Sequence, residues 1–224
     1  AHVPADFTLI VNDTGLSLIS THENWTPLSI DFNDYANSTR AKQFGKQQAL
    51  AKAIGLNKKS GLTVLDTTAG LGRDADLLGK AGANVVMIEQ HPALFLMLSH
   101  AIKTQDTTDF KGVLSIYHGQ SVDYLNDTDF LDAQAIDVIY CDPMFAKRQK
   151  SAKVKKDMQL LQALIGHSQN NDNLLKSALS VTQKRVVVKR PRLGDPISSP
   201  RSQTSIMGKT HRFDVYQPIN VKQS

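Results

Sequence analysis

Four short stretches of this sequence place reactive or ligand-binding residue types at the ends of apolar runs. Val64-Leu65 ends in Asp66 and continues as Thr67-Thr68-Ala69-Gly70-Leu71-Gly72-Arg73-Asp74. Glycines at 70 and 72 let a ligand approach the backbone, and the helix expected beyond them offers free N–H groups. Val85-Val86-Met87-Ile88 ends in Glu89, whose two carboxylate oxygens can accept hydrogen bonds from both hydroxyls of a ribose. After Val113–Tyr117 comes His118-Gly119-Gln120-Ser121, with short polar side chains in reach of an adenine ring; an ordinary turn with a serine cap accounts for these residues equally well. Finally, Ile139-Tyr140-Cys141 runs into Asp142-Pro143-Met144-Phe145, which puts a carboxylate, a proline and an aromatic ring on one turn.

The glycines alone leave the ligand open. Gly70-x-Gly72-x-x-Ala75 also fits a dinucleotide fingerprint, and Glu89, 17 residues after Gly72, suits the ribose of NAD or of S-adenosylmethionine. Asp66, four residues before Gly70, completes a D-x-x-x-G-x-G pattern that resembles the first motif of the S-adenosylmethionine-dependent methyltransferases. That resemblance puts the acidic residue near the methionine end of a cationic ligand, not beside a pyrophosphate. Asp142-Pro143-Met144-Phe145 resembles the (Asp/Asn)-Pro-Pro-(Tyr/Phe) motif of methyltransferases acting on exocyclic amino nitrogens, with Met144 replacing the second proline. An exocyclic amine conjugated to a base ring is a poor nucleophile, because its lone pair is delocalised. Asp142 and the Pro143 carbonyl are expected to accept its two N–H bonds and hold the lone pair toward the methyl group. Negative charge there also faces the positive charge that develops on nitrogen. Phe145 would stack on a base taken out of its stack.

For these stretches to meet, their strands must lie side by side. Strands are expected at Leu62–Asp66, Asn84–Glu89, Val113–Tyr117, Ala135–Cys141, Arg185–Lys189 and His211–Tyr216. Helices are expected near Arg73–Ala81, from Pro92 to about Lys103, and near Val154–Ile165 and Asn173–Ser180. This alternation predicts a Rossmann-like α/β fold, a parallel sheet with helices on both faces that binds ligands beyond the carboxyl ends of its strands. Earlier, Phe7–Val11, Leu16–Ile19 and Leu28–Phe32, with a turn over Asn12–Gly15, read as a small N-terminal β extension. It would occupy residues 1–35, with the methyltransferase-like domain over 36–224. One helix is expected over Ala41–Ile54, stopped by Gly55.

A length of 224 residues with 41% hydrophobic content suits one sizeable α/β domain. The one cysteine, Cys141, excludes a disulfide scaffold and a multi-cysteine zinc site, and is expected to be a small buried hydrophobe. Seven histidines, His211 among them, show no metal-ligand spacing, and no metal is expected. The longest apolar run, Pro92–Leu98, is far short of the roughly 20 residues a membrane span needs. The first residues lack a signal-peptide pattern, so a cytoplasmic chain is expected.

The net charge of +5 is unevenly spread, −6 over residues 1–140 and +11 over 141–224. Lys147, Arg148, Lys150, Lys153, Lys155 and Lys156 follow the Asp142 turn directly. Lys184, Arg185, Lys189, Arg190 and Arg192 bracket a late strand. Such density beside the proposed base pocket is expected to contact nucleic-acid phosphates, while a solvated basic surface would give the same composition.

Together, Asp66–Asp74, Asp142–Phe145, Gln149-Lys150-Ser151-Ala152 with Val154-Lys155-Lys156, Lys184–Pro191 and His211–Asp214 resemble the bacterial RsmJ family, in order from about Ile30 to Tyr216. The resemblance implies methylation of N2 of a guanosine near the 3′ end of 16S ribosomal RNA. S-adenosylmethionine would be the cofactor, and the RNA partner would be met within the small ribosomal subunit. It also implies cofactor contacts from Arg73 and Asp74, Glu89 and Gln90, Gln120 and Ser121, and Asp142, with Gln120 standing where the family has a serine. Three alternatives stay open at this point. An adenine-N6 methyltransferase would use the same amine chemistry, a nicotinamide-dependent oxidoreductase the same glycine turn, and a non-enzymatic RNA-binding module the same basic half.

Overall fold

The computed structural model describes residues 6–12, 15–21, 25–108, 110–143, 164, 171–181, 184–194 and 200–217. At the N-terminal end β1 (Phe7–Asn12) pairs antiparallel with β2 (Gly15–Ser20), and β3 (Leu28–Ser29) adds to the other side of β2. Phe7, Leu18 and Leu28 turn inward and join the core of the main body. β3 is shorter than the sequence suggests because Asp31 starts a helix: its side chain accepts from the amides of Asn33 and Asp34 and caps α1 (Phe32–Ala36).

The single helix expected over 41–54 is two. Ser38 caps α2 (Thr39–Lys42), the chain turns, and α3 (Ala49–Ile54) follows, closed by Gly55 at φ 104°. Between them Lys42, Gln43, Lys46, Gln47 and Gln48 are exposed, so no continuous apolar face exists for one long helix to bury, and Gly45 weakens it further.

Next come β4 (Thr63–Asp66), α4 (Arg73–Lys80), β5 (Asn84–Glu89), α5 (Pro92–Thr104) and β6 (Leu114–His118). They are followed by α6 (Ser121–Asn126), α7 (Thr128–Ala133), β7 (Val138–Cys141), α8 (Asn171–Ser180), β8 (Arg185–Pro191), β9 (Thr204–Met207) and β10 (His211–Tyr216). The helix expected at Val154–Ile165 falls outside the described residues, apart from Leu164. β7 begins later than expected because Ala135 sits in a left-handed turn at φ 49°.

The strands form one sheet in the order β6-β5-β4-β7-β8-β10-β9, the Rossmann-like architecture expected. Strands β4 to β8 are parallel, but β10 runs against both β8 and β9, so the sheet is not wholly parallel. Only residues 208–210 separate β9 from β10, enough for a hairpin and far too few for the helical crossover a parallel pair needs. One face packs Val64, Met87, Tyr140 and Val187 against α3, α4, α5 and the N-terminal sheet. The other packs Leu65, Val86, Ile139, Val186 and Val188 against α6, α7 and α8. Burial on both faces explains why β5 and β7 read as unbroken apolar runs.

The turn from β4 into α4 is set by two glycines in the left-handed region, Gly70 at φ 56° and Gly72 at φ 67°. A Cβ on Gly72 would lie 2.6 Å from Leu98 Cδ2 and 2.8 Å from Phe32 Cζ, whereas one on Gly70 would meet only the Thr68 carbonyl, at 3.7 Å. Gly72→Ala is expected to destabilise the fold by about 3 kcal/mol, from strain plus overpacking, and Gly70→Ala by about 1 kcal/mol, from strain alone. Urea denaturation of the two variants checks this, and equal losses would refute the tight packing at Gly72.

Candidate functional site

β4 occupies the switch point of the sheet: the chain leaves it for β5 and β6 on one side and crosses back to β7 on the other. A crevice therefore opens above the carboxyl ends of β4 and β7. The described residues of the four motifs lie at the carboxyl ends of β4, β5, β6 and β7, around that crevice.

Asp66 ends β4, is buried, and accepts at Oδ1 from the Thr68 amide at 3.0 Å and the Thr68 hydroxyl at 3.3 Å. Thr68 Oγ1 accepts in turn from the Asp142 amide at 2.7 Å, so the turns after β4 and β7 are tied together. Glu89, buried at the end of β5, accepts from the Gly70 amide at 3.1 Å (Oε2) and the His91 amide at 2.7 Å (Oε1). Ser121 does not cap α6; its hydroxyl donates to the Thr67 carbonyl at 2.7 Å and secures the turn after β6 to the same loop. Gln90 and Gln120 are exposed at the rim. Arg73 opens α4 with its guanidinium 5.8 Å from the Tyr35 ring centroid, at the edge of a pocket of about 360 Å³ between α1 and the glycine turn. Pro143 is buried, while Phe145, Lys147, Arg148, Lys150, Lys153, Lys155 and Lys156 lie outside the described residues.

Asp74, in the first turn of α4, lies in the interior with both oxygens engaged. Oδ2 accepts from the Tyr140 hydroxyl at 2.6 Å and from Lys189 Nζ at 2.9 Å, and Oδ1 pairs with Arg40. Lys189 reaches on to Asp142 Oδ2 at 2.6 Å. Lys189, expected among the phosphate contacts, is placed differently from an open surface lysine. Its side chain is 12% exposed, and the ammonium is held by two carboxylates of the chain rather than offered to phosphate. Arg190 is half-buried, and Arg192 is exposed, its guanidinium donating to the Gly208 carbonyl at 3.0 Å.

Register explains the inward turn. Val188 pairs with Cys141, so Lys189 stands beside Asp142, on the face that Val187 shares with Tyr140 and α4. Sequence reasoning missed Thr68, Tyr140 and Arg40 as parts of the site. A hydroxyl two residues past Asp66 was a signal for Thr68, and a tyrosine two residues before Asp142 places its ring on the same face. Arg40 carried none.

The electrostatics favour a ligand with positive charge and hydroxyl groups. Burial pushes the Asp66 carboxyl up to about 7, partly offset by the Thr68 bonds and reinforced by the charges of Asp74 and Asp142. Burial also pushes Glu89 up to about 7, against hydrogen bonds from the amides of His91, Gly70 and Gln90. For Asp74 burial again opposes the charge, but Lys189 and Arg40 prevail and hold the carboxyl well below the usual range. Cys141 is buried and its thiol is pushed up to about 12 by burial, so it is no nucleophile at neutral pH.

S-adenosylmethionine suits this arrangement. The space over Gly70 is open, Glu89 stands next to it with carboxylate oxygens that can accept from ribose hydroxyls, and Asp66 and Asp142 are carboxylates that can face a sulfonium or an ammonium group. A pyrophosphate in the same turn would face these carboxylates, which argues against a dinucleotide.

Comparison with known proteins agrees. The SAM_MT family of S-adenosylmethionine (SAM)-dependent methyltransferases matches residues 2–218. A ribosomal RNA small subunit methyltransferase J from Shewanella piezotolerans is 40% identical over 95% of this chain and 81% of its own length. The protein of the same name from Dechloromonas aromatica is 37% identical over 97% of this chain and 90% of its own. Among solved structures, a SAM-dependent methyltransferase from Neisseria gonorrhoeae superposes with a TM-score of 0.72 at 30% identity, covering 98% of this chain and 86% of that one. The rRNA methyltransferase aviRa from Streptomyces viridochromogenes, at 12% identity and a TM-score of 0.50 over 75% of this chain and 84% of that one, shares the fold alone. Glycine turn, acidic strand ends, sheet order and relatives coincide, and the chain belongs to the SAM-dependent methyltransferases, in the family of ribosomal RNA small subunit methyltransferase J.

Proposed function

We propose that the chain methylates the exocyclic N2 of a guanosine in small-subunit ribosomal RNA. The observation that carries this reading is the link between Asp142 and the cofactor turn: its amide is bonded to Thr68, and Thr68 to Asp66. An amine held by Asp142 is thereby brought to the place where the methyl donor would bind. S-adenosylmethionine, when bound, supplies an electrophilic methyl group on a sulfonium.

The chain's own residues do the rest. Asp66 and Glu89 hold the cofactor by charge and hydrogen bonds, with Arg73, Gln90, Gln120 and Ser121 around it and Asp74 beneath, its oxygens taken by Tyr140, Lys189 and Arg40. Asp142 and the Pro143 carbonyl accept the two N–H bonds of the target amine, and Phe145 stacks on its base. Arg190, Arg192 and the lysines and arginines of 147–156 meet the RNA phosphates. The substrate is the RNA within the small subunit, and the setting is the bacterial cytoplasm. Among the described residues no helix is long and apolar enough to cross a membrane.

Methyl transfer from labelled S-adenosylmethionine to unmodified small subunits and to free 16S RNA tests the reading, with the product nucleoside identified. N2-methylguanosine is expected, and N6-methyladenosine would move the chain to a different target. Asp142→Ala should lower the rate by at least about 100-fold with RNA affinity nearly intact, because positioning is lost while the phosphate contacts stay. Normal turnover in that variant would show the pocket to be misassigned.

Cofactor binding should also depend on pH. Asp66 and Glu89 each titrate near 7 before the ligand arrives, and a cationic, hydroxyl-bearing ligand favours their ionised forms. Binding then competes with protons, so affinity rises from pH 6 to pH 8 and levels off above. Titration calorimetry should show a several-fold gain in affinity and proton release at pH 6 to 7. A pH-independent Kd would contradict the assigned roles.

A further inference from the structure

Lys189, turned inward from the second half of β8, has no part in the proposal above. Its ammonium gives up most of its hydration, an expense that a phosphate-binding lysine on the surface does not meet. It lies between Asp74 at 2.9 Å and Asp142 at 2.6 Å, and both pairings use the oxygen labelled Oδ2. Asp74 is itself fixed by the Tyr140 hydroxyl and by Arg40, so Lys189 hangs from a rigid anchor. Asp142 is consequently gripped twice, its amide by Thr68 and its carboxylate by Lys189.

We propose that Lys189 is a positioning residue for methyl transfer, one that fixes the Asp142 carboxylate through Oδ2 and presents Oδ1 to the substrate amine. This rests on the function proposed above. A carboxylate that swings between rotamers offers the amine an acceptor only part of the time. A partly buried carboxyl among other carboxylates also tends to take up a proton when it has no counter-ion, and the neutral acid would donate where it must accept. Burial raises the Asp142 carboxyl, and Lys189 is the chief force pulling it back. The other groups facing Asp142 are Asp74 on α4, Arg40 on α2, Asp66 at the end of β4, and Tyr140 and Cys141 on β7. Lys189 is also faced by His211 on β10. Of these, Lys189 is the cation in direct contact with the carboxylate.

The test compares wild type and K189M for kcat and KM with RNA, RNA affinity as a function of salt, and the pH profile of kcat. The proposal expects RNA affinity within about twofold of wild type and an unchanged salt slope, since no phosphate contact is lost. It expects kcat at pH 7 to fall about 100-fold, and to recover in part toward pH 9 as Asp142 ionises unaided. An RNA affinity weakened tenfold, with a shallower salt slope and normal kcat at saturating RNA, would make Lys189 a phosphate ligand and overturn the proposal. Wild-type values throughout would overturn it too. If K189M does not fold, because Asp74 keeps only Arg40 of its two cationic partners, the double variant K189M/D74N is read against D74N. A kcat about 100-fold below that of D74N is then expected, and equal values overturn the proposal. A wild-type protein that transfers no methyl group to RNA overturns the functional reading and this inference with it, which separates the two failures.

Discussion

Asp74 is a carboxylate placed in the interior, and its desolvation is the constraint around which the site is arranged. An uncompensated charge there would cost several kcal/mol. Compensation comes from three directions: the Tyr140 hydroxyl on β7, the Lys189 ammonium on β8 and the Arg40 guanidinium on α2. The amino end of α4 adds the favourable field of its free amides. Each partner belongs to a different element, so satisfying one charge fixes the first turn of α4 against two central strands and the N-terminal helical segment. Tyr140 is among the largest fully buried side chains, and its hydroxyl would be a liability anywhere else in that core.

A second layer of constraint lies among the loops. The turn after β4 receives the Asp142 amide through Thr68, sends the Gly70 amide to Glu89, and takes the Ser121 hydroxyl on the Thr67 carbonyl. Turns that follow four different strands thus share one set of hydrogen bonds. Carboxylates and backbone groups are oriented before any ligand arrives, which lowers the ordering cost of binding.

How much of this the sequence disclosed depended on whether the cause was local. β5 and β10 stand where their residues place them, and α5 begins at Pro92, because apolar runs and a proline at the first turn act within a few residues. Asp66, Glu89 and Asp142 were legible as strand-end carboxylates for the same reason. β9 was not, since three of its four residues are exposed and only pairing with β10 makes it a strand. α6 and α7 are six residues each, with single buried leucines, too short to show a period. The surroundings of Lys189 were not legible because its neighbours in sequence are basic, while its neighbours in space are acidic. Only the register of β7 against β8 brings Asp142 to it, and Asp74 is 115 positions away.

The reversed strand β10 carries a buried pair, Arg212 to Asp214, at 2.9 Å and 3.2 Å. The same guanidinium donates to the Arg192 carbonyl at 3.4 Å and to that of Gly194. The turn that carries Arg192 past the end of β8 is therefore clamped from beneath by the sheet itself. Arg192 sits on a fixed ledge and not on a swinging arm, and its backbone has already lost its freedom on folding. Any ligand that reached this edge would meet a backbone of set shape and would have to match its contour, as a key is cut to a lock that does not move.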